Sequence, residues 1–538
     1  MRGPSLSSLT LVALAACGSG TEPVARRCES APVLPLAEGA VSVVEPGAGG
    51  CLRLSAGREW IVAFVSADGR VTADGTAITI RGELFPSAAA TARLAATTTP
   101  PAPTLDLHAS LRAAEAALPR AGAGADAGGV RTGRAVHGVP APVRVFQPCA
   151  DAACATRMGV TADLAYTGTN VSVYLERGLP PADVNANDLA VLGPDLDGAL
   201  FTLDTSLVAA PTDVDGDGRV AVLVSRAVNA LSGACRGGAG LVQGYVFGGD
   251  LLPSAGAGRA EVVYLAAPDP SNAACRFARQ ATLDALPRTF VHELQHLLNF
   301  GERVVRRGGT AEATWLNEAM SHLAEELAGR RLSAGRPDAD AILARFALPN
   351  LQQAYDYLGD PAAHWLVVPG TSTGRPEERG AGWLFLRWLV DRQGGDAQAP
   401  ALLRALVRLP TTGAASVAAT AATPFPVLVG TWHLANVAAM DRTPVPGATI
   451  GYTSWTFRTL WADLRRQDPG RFPLAFPLRV DSVGTAGAIV PAQLRDGSAR
   501  LVRVTLTAPA ELAIAAGDAT GQPLPAGTAL RLAVLRVR

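Results

Sequence analysis

The spacing of hydrophobic positions changes twice along the chain, and these changes divide it into three parts. Near the start, apolar and polar residues alternate in short runs between turns, at residues 41–44, 59–65 and 77–81. The same alternation returns near the end, at residues 501–506, 511–514 and 530–537. A period of two is typical of half-buried strands. We therefore expect one β-sandwich domain at each end of the chain.

The middle of the chain combines strands with helices. Strand patterns lie at residues 143–146, 163–166, 171–175 and 221–224. Helical periodicity follows at residues 289–300, 314–327, 341–347 and 382–392. Pro- and Gly-rich linkers around a short Ala-rich helix at 111–118 precede this part. The expected domains are 18–135, 136–440 and 441–538, so the predicted fold class is α+β and multidomain.

One helix carries a metal-binding pattern, His-Glu-x-x-His at residues 292–296. His292 and His296 are one turn apart and share a helix face, so both imidazoles can bind one Zn²⁺. Glu293 can then reach a water bound to the same ion. The alternative is a core helix whose histidines bond only to their neighbours. Because two histidines and a glutamate in an apolar helix need partners, we favour the metal.

A zinc site needs a third protein ligand, and the helix at 314–327 offers it. The Gly- and Arg-rich connection at 301–309 permits antiparallel packing, which brings Glu318 towards the histidines. We predict Glu318 as the third ligand, with water in the fourth position. His322, one turn on, is the rival ligand. Glu325 and Glu326 are most simply interpreted as a solvated face.

Together the two helices resemble the hyicolysin family of bacterial zinc metallopeptidases, which are gluzincins. The similarity extends over about residues 140–440 and is specific in the His-Glu-x-x-His motif and in the Trp-Leu-Asn-Glu-Ala-Met-Ser run at 315–321. The resemblance implies a gluzincin-like domain, with His292, His296 and Glu318 as zinc ligands and Glu293 as general base. Thermolysin-like gluzincins have a carboxylate four residues after the ligand Glu, where this chain has His322.

Other polar residues of the middle part suggest further roles. Asp213, Asp215 and Asp217 match the first positions of an EF-hand-like Ca²⁺ loop, but its twelfth position is Val224; an Asp/Gly turn before a strand is the alternative. Residues 261–265 are expected to form an edge strand, which in gluzincins aligns the substrate backbone. A zinc peptidase also needs an oxyanion donor. Four residues are candidates, and the sequence does not choose between them: Tyr355, Tyr357, His364 and Arg379.

The N-terminus has the pattern of an export signal. Arg2 precedes an apolar run, and Leu14-Ala15-Ala16-Cys17 resembles a bacterial lipobox. We expect residues 1–17 to be a lipoprotein signal peptide, Cys17 to be lipidated, and the protein to lie at the outer membrane or cell surface. An ordinary signal peptide with a chance cysteine is the alternative. No other stretch is apolar for long enough to predict a transmembrane helix.

Six further cysteines suggest disulfides, because an even number is typical of exported proteins. We expect sequential pairs; metal binding by thiolates is the weaker alternative. The predicted pairs are Cys28–Cys51, Cys149–Cys154 and Cys235–Cys275.

Charge narrows the range of partners. The chain has 47 basic and 47 acidic residues, and every basic residue is Arg. A balanced charge gives no reason to expect nucleic-acid binding, and we expect membrane contact only through the lipid anchor. The sequence does not predict the oligomeric state.

The sequence therefore predicts an exported, lipid-anchored zinc metalloendopeptidase that acts on proteins or peptides. Two other functions are consistent with it. One is a non-catalytic surface lipoprotein that binds through its β domains. The other is a zinc hydrolase with a non-peptide substrate, because the motif predicts water activation but not the bond attacked.

Overall fold

The computed structural model describes residues 28–47, 50–70, 77–85, 107–118, 138–232, 235, 241–447, 449–483, 488–525 and 527–538. The predicted signal peptide and Cys17 lie outside these residues. The strands are β1 Val33–Leu34, β2 Val41–Val44, β3 Cys51–Ser66, β4 Ala77–Phe85, β5 Val143–Phe146, β6 Val160–Thr167, β7 Val171–Glu176, β8 Val220–Ser225, β9 Gly244–Tyr245, β10 Val262–Ala266, β11 Asp481–Val483, β12 Ala488–Arg495, β13 Ala499–Gly517 and β14 Leu530–Arg536.

The α-helices are α1 Leu107–Ala117, α2 Ala186–Asp195, α3 Phe201–Leu207, α4 Arg226–Asn229, α5 Arg279–Phe300, α6 Thr314–Ser333, α7 Ala339–Leu358, α8 Pro376–Arg392, α9 Ala399–Arg408, α10 Gly413–Ala421, α11 Phe425–Met440 and α12 Phe457–Gln467. The protein is thus α+β, with two sheets.

The first sheet combines strands from both ends of the chain. Its order is β12-β4-β13-β3-β14-β2, with β1 added beside β3 and β11 beside β13. The long strands β3 and β13 pair antiparallel along most of their length. The prediction of two separate β-sandwich domains is therefore wrong. Alternation identifies a half-buried strand but does not say which strand lies beside it.

The second sheet belongs to the middle of the chain and has the order β5-β6-β7-β8-β10-β9. Strand β10 lies between β8, which is parallel to it, and β9, which is antiparallel. Residues 261–265 were expected at an edge, and that prediction is wrong. The edge is formed by the short strand β9, whose two residues give too little alternation to be recognised in the sequence.

Helices α5 to α8 pack together beside the second sheet. Helix α5 contacts β10, and α6 is surrounded by α5, α7 and α8. Every residue of α6 from Thr314 to Gly329 is buried, as expected of a helix with neighbours on all sides. Helix α11 packs against β2, β3 and β14 and so joins the helical part to the first sheet.

The three predicted disulfides are confirmed. Cα–Cα distances are 5.3 Å for Cys28–Cys51, 4.7 Å for Cys149–Cys154 and 5.2 Å for Cys235–Cys275. The first links the residues just before β1 to the start of β3. Three disulfides are consistent with an exported protein.

No single helix in the described part of the chain is long and apolar enough to cross a membrane. Helices α10 and α11, bent by 81° at their junction, meet the length and composition criteria only as a pair. In α11, Leu428, Val429 and Trp432 are buried in the protein core.

Candidate metal centre

Helix α5 positions the two motif histidines in the interior of the helical part. Its apolar residues, among them Phe290, Leu294 and Leu297, are buried in the core shared with the second sheet. His296 is 1% exposed, and His292 is partly buried beside it. The Nε2 atoms of the two rings are 3.2 Å apart.

Helix α6 brings Glu318 to the same point, as the antiparallel connection predicts. One carboxylate oxygen lies 3.5 Å from His292 Nε2, and the other lies 3.4 Å from His296 Nε2. Glu318 is 4% exposed, and its Oε1 atom has no hydrogen-bond partner among the described residues. Two imidazole nitrogens and the Glu318 carboxylate thus lie together at one buried point, a donor set compatible with a metal ion.

Glu325 holds the other side of the His292 ring. The His292 Nδ1–H donates a 2.8 Å hydrogen bond to Glu325 Oε1, so Nε2 is the ring nitrogen that faces Glu318. Arg288 Nη1 lies 3.5 Å from the second Glu325 oxygen. A carboxylate on the far nitrogen of a histidine ligand orients the ring and raises its basicity.

The pKa shifts of His292, Glu318 and His296 show how the centre interacts with positive charge. Burial alone would lower the pKa of His292, but hydrogen bonds with Glu318 and Glu325 outweigh it and raise that pKa to about 10. Burial opposes ionisation of Glu318, yet His296 and His292 hold its pKa well below the usual range. Burial lowers the pKa of His296. The two carboxylates therefore favour a cation between the rings, which a metal ion would satisfy.

Glu293, the predicted general base, lies on the helix turn that separates the two histidines. It is 2% exposed. Its Oε2 atom is buried and has no hydrogen-bond partner among the described residues. An unpaired buried carboxylate oxygen is costly, and a water molecule at the metal centre is the kind of partner that would satisfy it.

The residues that follow Glu318 on α6 differ from the prediction. Glu325 and Glu326 are 1% and 0% exposed, so their interpretation as a solvated face is wrong. Glu326 accepts hydrogen bonds from the indole N–H groups of Trp383 and Trp455. Glu325 and Glu326 are buried because α6 has neighbours on every side. The residue pattern of α6 does not reveal those neighbours.

His322 lies near the centre but not in the ligand triangle of His292, His296 and Glu318. Its ring is 5.0 Å from the His292 ring, centroid to centroid, and its Nδ1 atom is 3.5 Å from Glu325 Oε1. With His292 and Glu325 it forms a second group of metal-binding residue types. The His292 nitrogen on that side already donates to Glu325, and the prediction of Glu318 rather than His322 as third ligand is consistent with this contact.

The structure places the four candidate oxyanion donors in other contacts. The Tyr355 hydroxyl donates to the Leu474 carbonyl, and the Tyr357 ring stacks on Trp432. His364 Nδ1 faces the Arg375 guanidinium at 3.3 Å, and Arg379 donates to the Gly374 carbonyl. Each of the four side chains thus contacts at least one group outside the ligand triangle.

The Asp/Gly turn before β8 gathers Asp213, Asp215 and Asp217. The Arg144 guanidinium lies 3.1 Å from Asp215 and 3.5 Å from Asp217. All three carboxylates also accept backbone N–H groups within the turn. The segment forms an Asp/Gly turn that leads into β8, in which Val224 is buried, and calcium binding at the three carboxylates stays a prediction.

Helix α1 lies against the centre, although the sequence gave no reason to place it there. The His108 ring is 6.5 Å from the His292 ring and meets it edge-on. Burial lowers the pKa of His296, and the Arg112 charge lowers it further. Burial raises the pKa of Glu115, and the Glu293 charge adds to the rise. Three side chains of α1 therefore lie near the motif residues.

A cavity of about 260 Å³ lies between α1 and the two ligand helices. Arg112 and Glu115 line one side. Asn299, which follows His296 by three residues, and Asn317, which precedes Glu318, line the other. None of His292, His296 and Glu318 is among the lining residues in the described part of the chain.

Sequence reasoning missed Glu325 and the contacts of α1. The helical period does place Glu325 on the face of Glu318 and His322, because seven residues make two turns. Burial of that face was the missing information, and it depends on the neighbours of α6. Nothing in the local pattern of α1 indicates its contact with a helix almost 200 residues away.

Comparison with known proteins gives no further assignment. No family model matches the sequence, and no curated protein matches it at a significant level.

Proposed function

We propose that the protein is a zinc metallopeptidase with its catalytic centre at His292, His296 and Glu318. The convergence of three metal-binding side chains at one buried point carries the proposal. The two Nε2 atoms are 3.2 Å apart. The Glu318 carboxylate places one oxygen 3.5 Å from His292 Nε2 and the other 3.4 Å from His296 Nε2, and two histidines with a carboxylate are a donor set that zinc accepts. The resemblance to hyicolysin-like gluzincins supports the same assignment.

Zinc bound there would lower the pKa of a coordinated water to about 7 and polarise a substrate carbonyl. Glu293 takes the proton from the attacking water and then delivers it to the leaving amine. Glu325 keeps the His292 ring in the tautomer that presents Nε2. We further propose that the protein is exported and anchored as a lipoprotein through Cys17. The three disulfides support the export and do not bear on the anchor.

Two other functions predict different outcomes. A non-catalytic surface lipoprotein would cleave nothing, whatever its metal content. A zinc hydrolase with a non-peptide substrate would cleave an ester or a glycan instead. The donor set favours a metal hydrolase over a binding module, because Glu293, on the same helix as the two histidines, has a buried carboxylate oxygen without a hydrogen-bond partner among the described residues.

The test is a substrate screen with the metal removed and restored. Protein freed of metal by a chelator and protein reloaded with zinc are each offered casein, a peptide library, esters and glycans. We expect cleavage of casein or peptides only by the reloaded protein. Cleavage confined to esters or glycans would contradict the peptidase assignment, and no cleavage of any substrate would favour the binding lipoprotein.

A further inference from the structure

Helix α1 is bonded to the backbone just beyond the edge strand of the second sheet. Arg112 Nη2 donates a 3.0 Å hydrogen bond to the Val246 carbonyl. Glu115 Oε1 accepts a 2.6 Å hydrogen bond from the Gly248 N–H. Val246 directly follows β9, the edge strand beside β10, and Gly248 is the first residue of a 3₁₀-helix at Gly248–Leu251.

These two backbone groups face the open side of the sheet. Tyr245 pairs with Tyr264 of β10, and neighbouring residues of a strand direct their polar groups to opposite sides. The groups of Val246 therefore face away from β10. Phe247 is extended, with φ −126° and ψ 113°, so the Gly248 N–H points in the same direction as the Val246 carbonyl.

An extended peptide binds a sheet edge through the same kind of groups. It donates an N–H to one carbonyl of the edge and accepts an N–H two residues further on. In this structure the Arg112 guanidinium supplies the N–H, and the Glu115 carboxylate supplies the acceptor. The two side chains thus satisfy the edge as a peptide backbone would.

The contact is buried and internally paired. Arg112 and Glu115 are 6% and 5% exposed, and their charged groups are 3.0 Å apart. Leu107 and Leu111 of the same helix are buried in a core cluster that includes Tyr245 and Phe247. Helix α1 is therefore packed against the edge by apolar contacts as well as by its two hydrogen bonds.

We propose that α1 is an autoinhibitory segment, which occupies the peptide-binding edge through Arg112 and Glu115 and covers the metal centre. The inference rests on the proposed peptidase function, because only a peptide substrate would need this edge. Displacement of α1 frees the Val246 carbonyl and the Gly248 N–H, opens the cavity between α1 and the two ligand helices, and removes the His108 ring from the His292 ring. The protein in the described conformation is accordingly a low-activity form.

The test replaces both side chains in the full-length protein, R112A together with E115A. Replacing both leaves the net charge unchanged and avoids a single unpaired buried charge. Zinc-loaded native and variant proteins are compared in three measurements. These are the rate of zinc release to excess chelator, the rate of casein cleavage, and hydrogen exchange of residues 107–117.

We expect all three rates to rise in the variant, zinc release and cleavage by about tenfold, which corresponds to about 1.4 kcal/mol of lost docking. The matched control is R466A with D463A, an exposed Arg–Asp pair with the same three-residue spacing on α12. It should change none of the rates. Should the double variant fail to fold, L111A loosens the same helix through its apolar contact.

Other results would overturn the inference in distinguishable ways. Faster hydrogen exchange in α1 with unchanged zinc release and cleavage would show that α1 does not obstruct the centre. Faster zinc release from the variant, with no casein cleavage by either protein, would mean that α1 covers a metal site without peptidase activity. If the native protein binds no zinc, the proposed function fails and the inference fails with it.

Discussion

The two nitrogens of His292 have different partners, and this difference defines the candidate centre. Nε2 faces Glu318 and His296, while Nδ1 donates to Glu325. Thermolysin-like enzymes have a supporting carboxylate four residues after the ligand Glu. In this chain the carboxylate that contacts the His292 ring is Glu325, which lies seven residues after Glu318.

Replacing Glu325 should therefore weaken metal binding without removing a ligand. In E325Q the His292 ring loses its charged acceptor, and we expect zinc affinity to fall about 10–100-fold. Competition with a chelator of known affinity measures the change. E302Q is the control, because Glu302 is also a buried carboxylate. It lies two residues after the end of α5 and pairs with Arg306 instead of a histidine. An unchanged affinity in E325Q would exclude Glu325 as the residue that positions His292.

The motif helices were predictable from the sequence, because His292, Glu293, His296 and Glu318 lie within helical patterns with a strong chemical signature. The pairing of strands was not. Alternation is a local property, whereas the partners of β3 lie more than 400 residues away in β13 and β14. The burial of Glu325 and Glu326 was unpredictable for the same reason, since it depends on the elements that surround α6.

Helix α11 provides a prediction about acid stability. His433 is fully buried, and burial lowers its pKa to about 4, although the hydrogen bond between Nε2 and the Gly497 carbonyl opposes the shift. The unfolded chain takes up this proton at the ordinary His pKa. The folded protein therefore loses stability as the pH falls from about 6.5 to about 4, by up to ~3 kcal/mol from this residue.

The variant H433Q lacks that proton uptake. Its stability relative to the native protein should improve by up to ~3 kcal/mol between about pH 7 and about pH 4. Urea unfolding of both proteins at a series of pH values measures the difference. A constant difference across this range would mean that His433 does not resist protonation in the fold.

At the scale of the whole molecule, the first sheet joins the two ends of the chain to the helical part. Arg503 of β13 pairs with Glu59 of β3 and with Asp441 at the end of α11. All three side chains are buried. One guanidinium thus links an N-terminal strand, a C-terminal strand and a helix of the middle part.

Replacing Arg503 with Met should destabilise the protein by about 3–5 kcal/mol, because Asp441 would keep a buried charge without this guanidinium and Glu59 would keep only its contact with Arg538. Chemical unfolding measures the loss. The control is R177M, whose exposed pair with Asp163 should contribute less than about 1 kcal/mol. Equal stability of R503M and R177M would contradict the linking role of Arg503.

The central claim is a zinc centre in which Glu293 is the base, and one paired measurement tests it most directly. Zinc per chain and casein cleavage are determined for the native protein and E293Q, with E302Q as control. We predict one zinc per chain in all three proteins and cleavage by the native protein and E302Q only. Cleavage by E293Q at the native rate, or a folded native protein without zinc, would contradict the account.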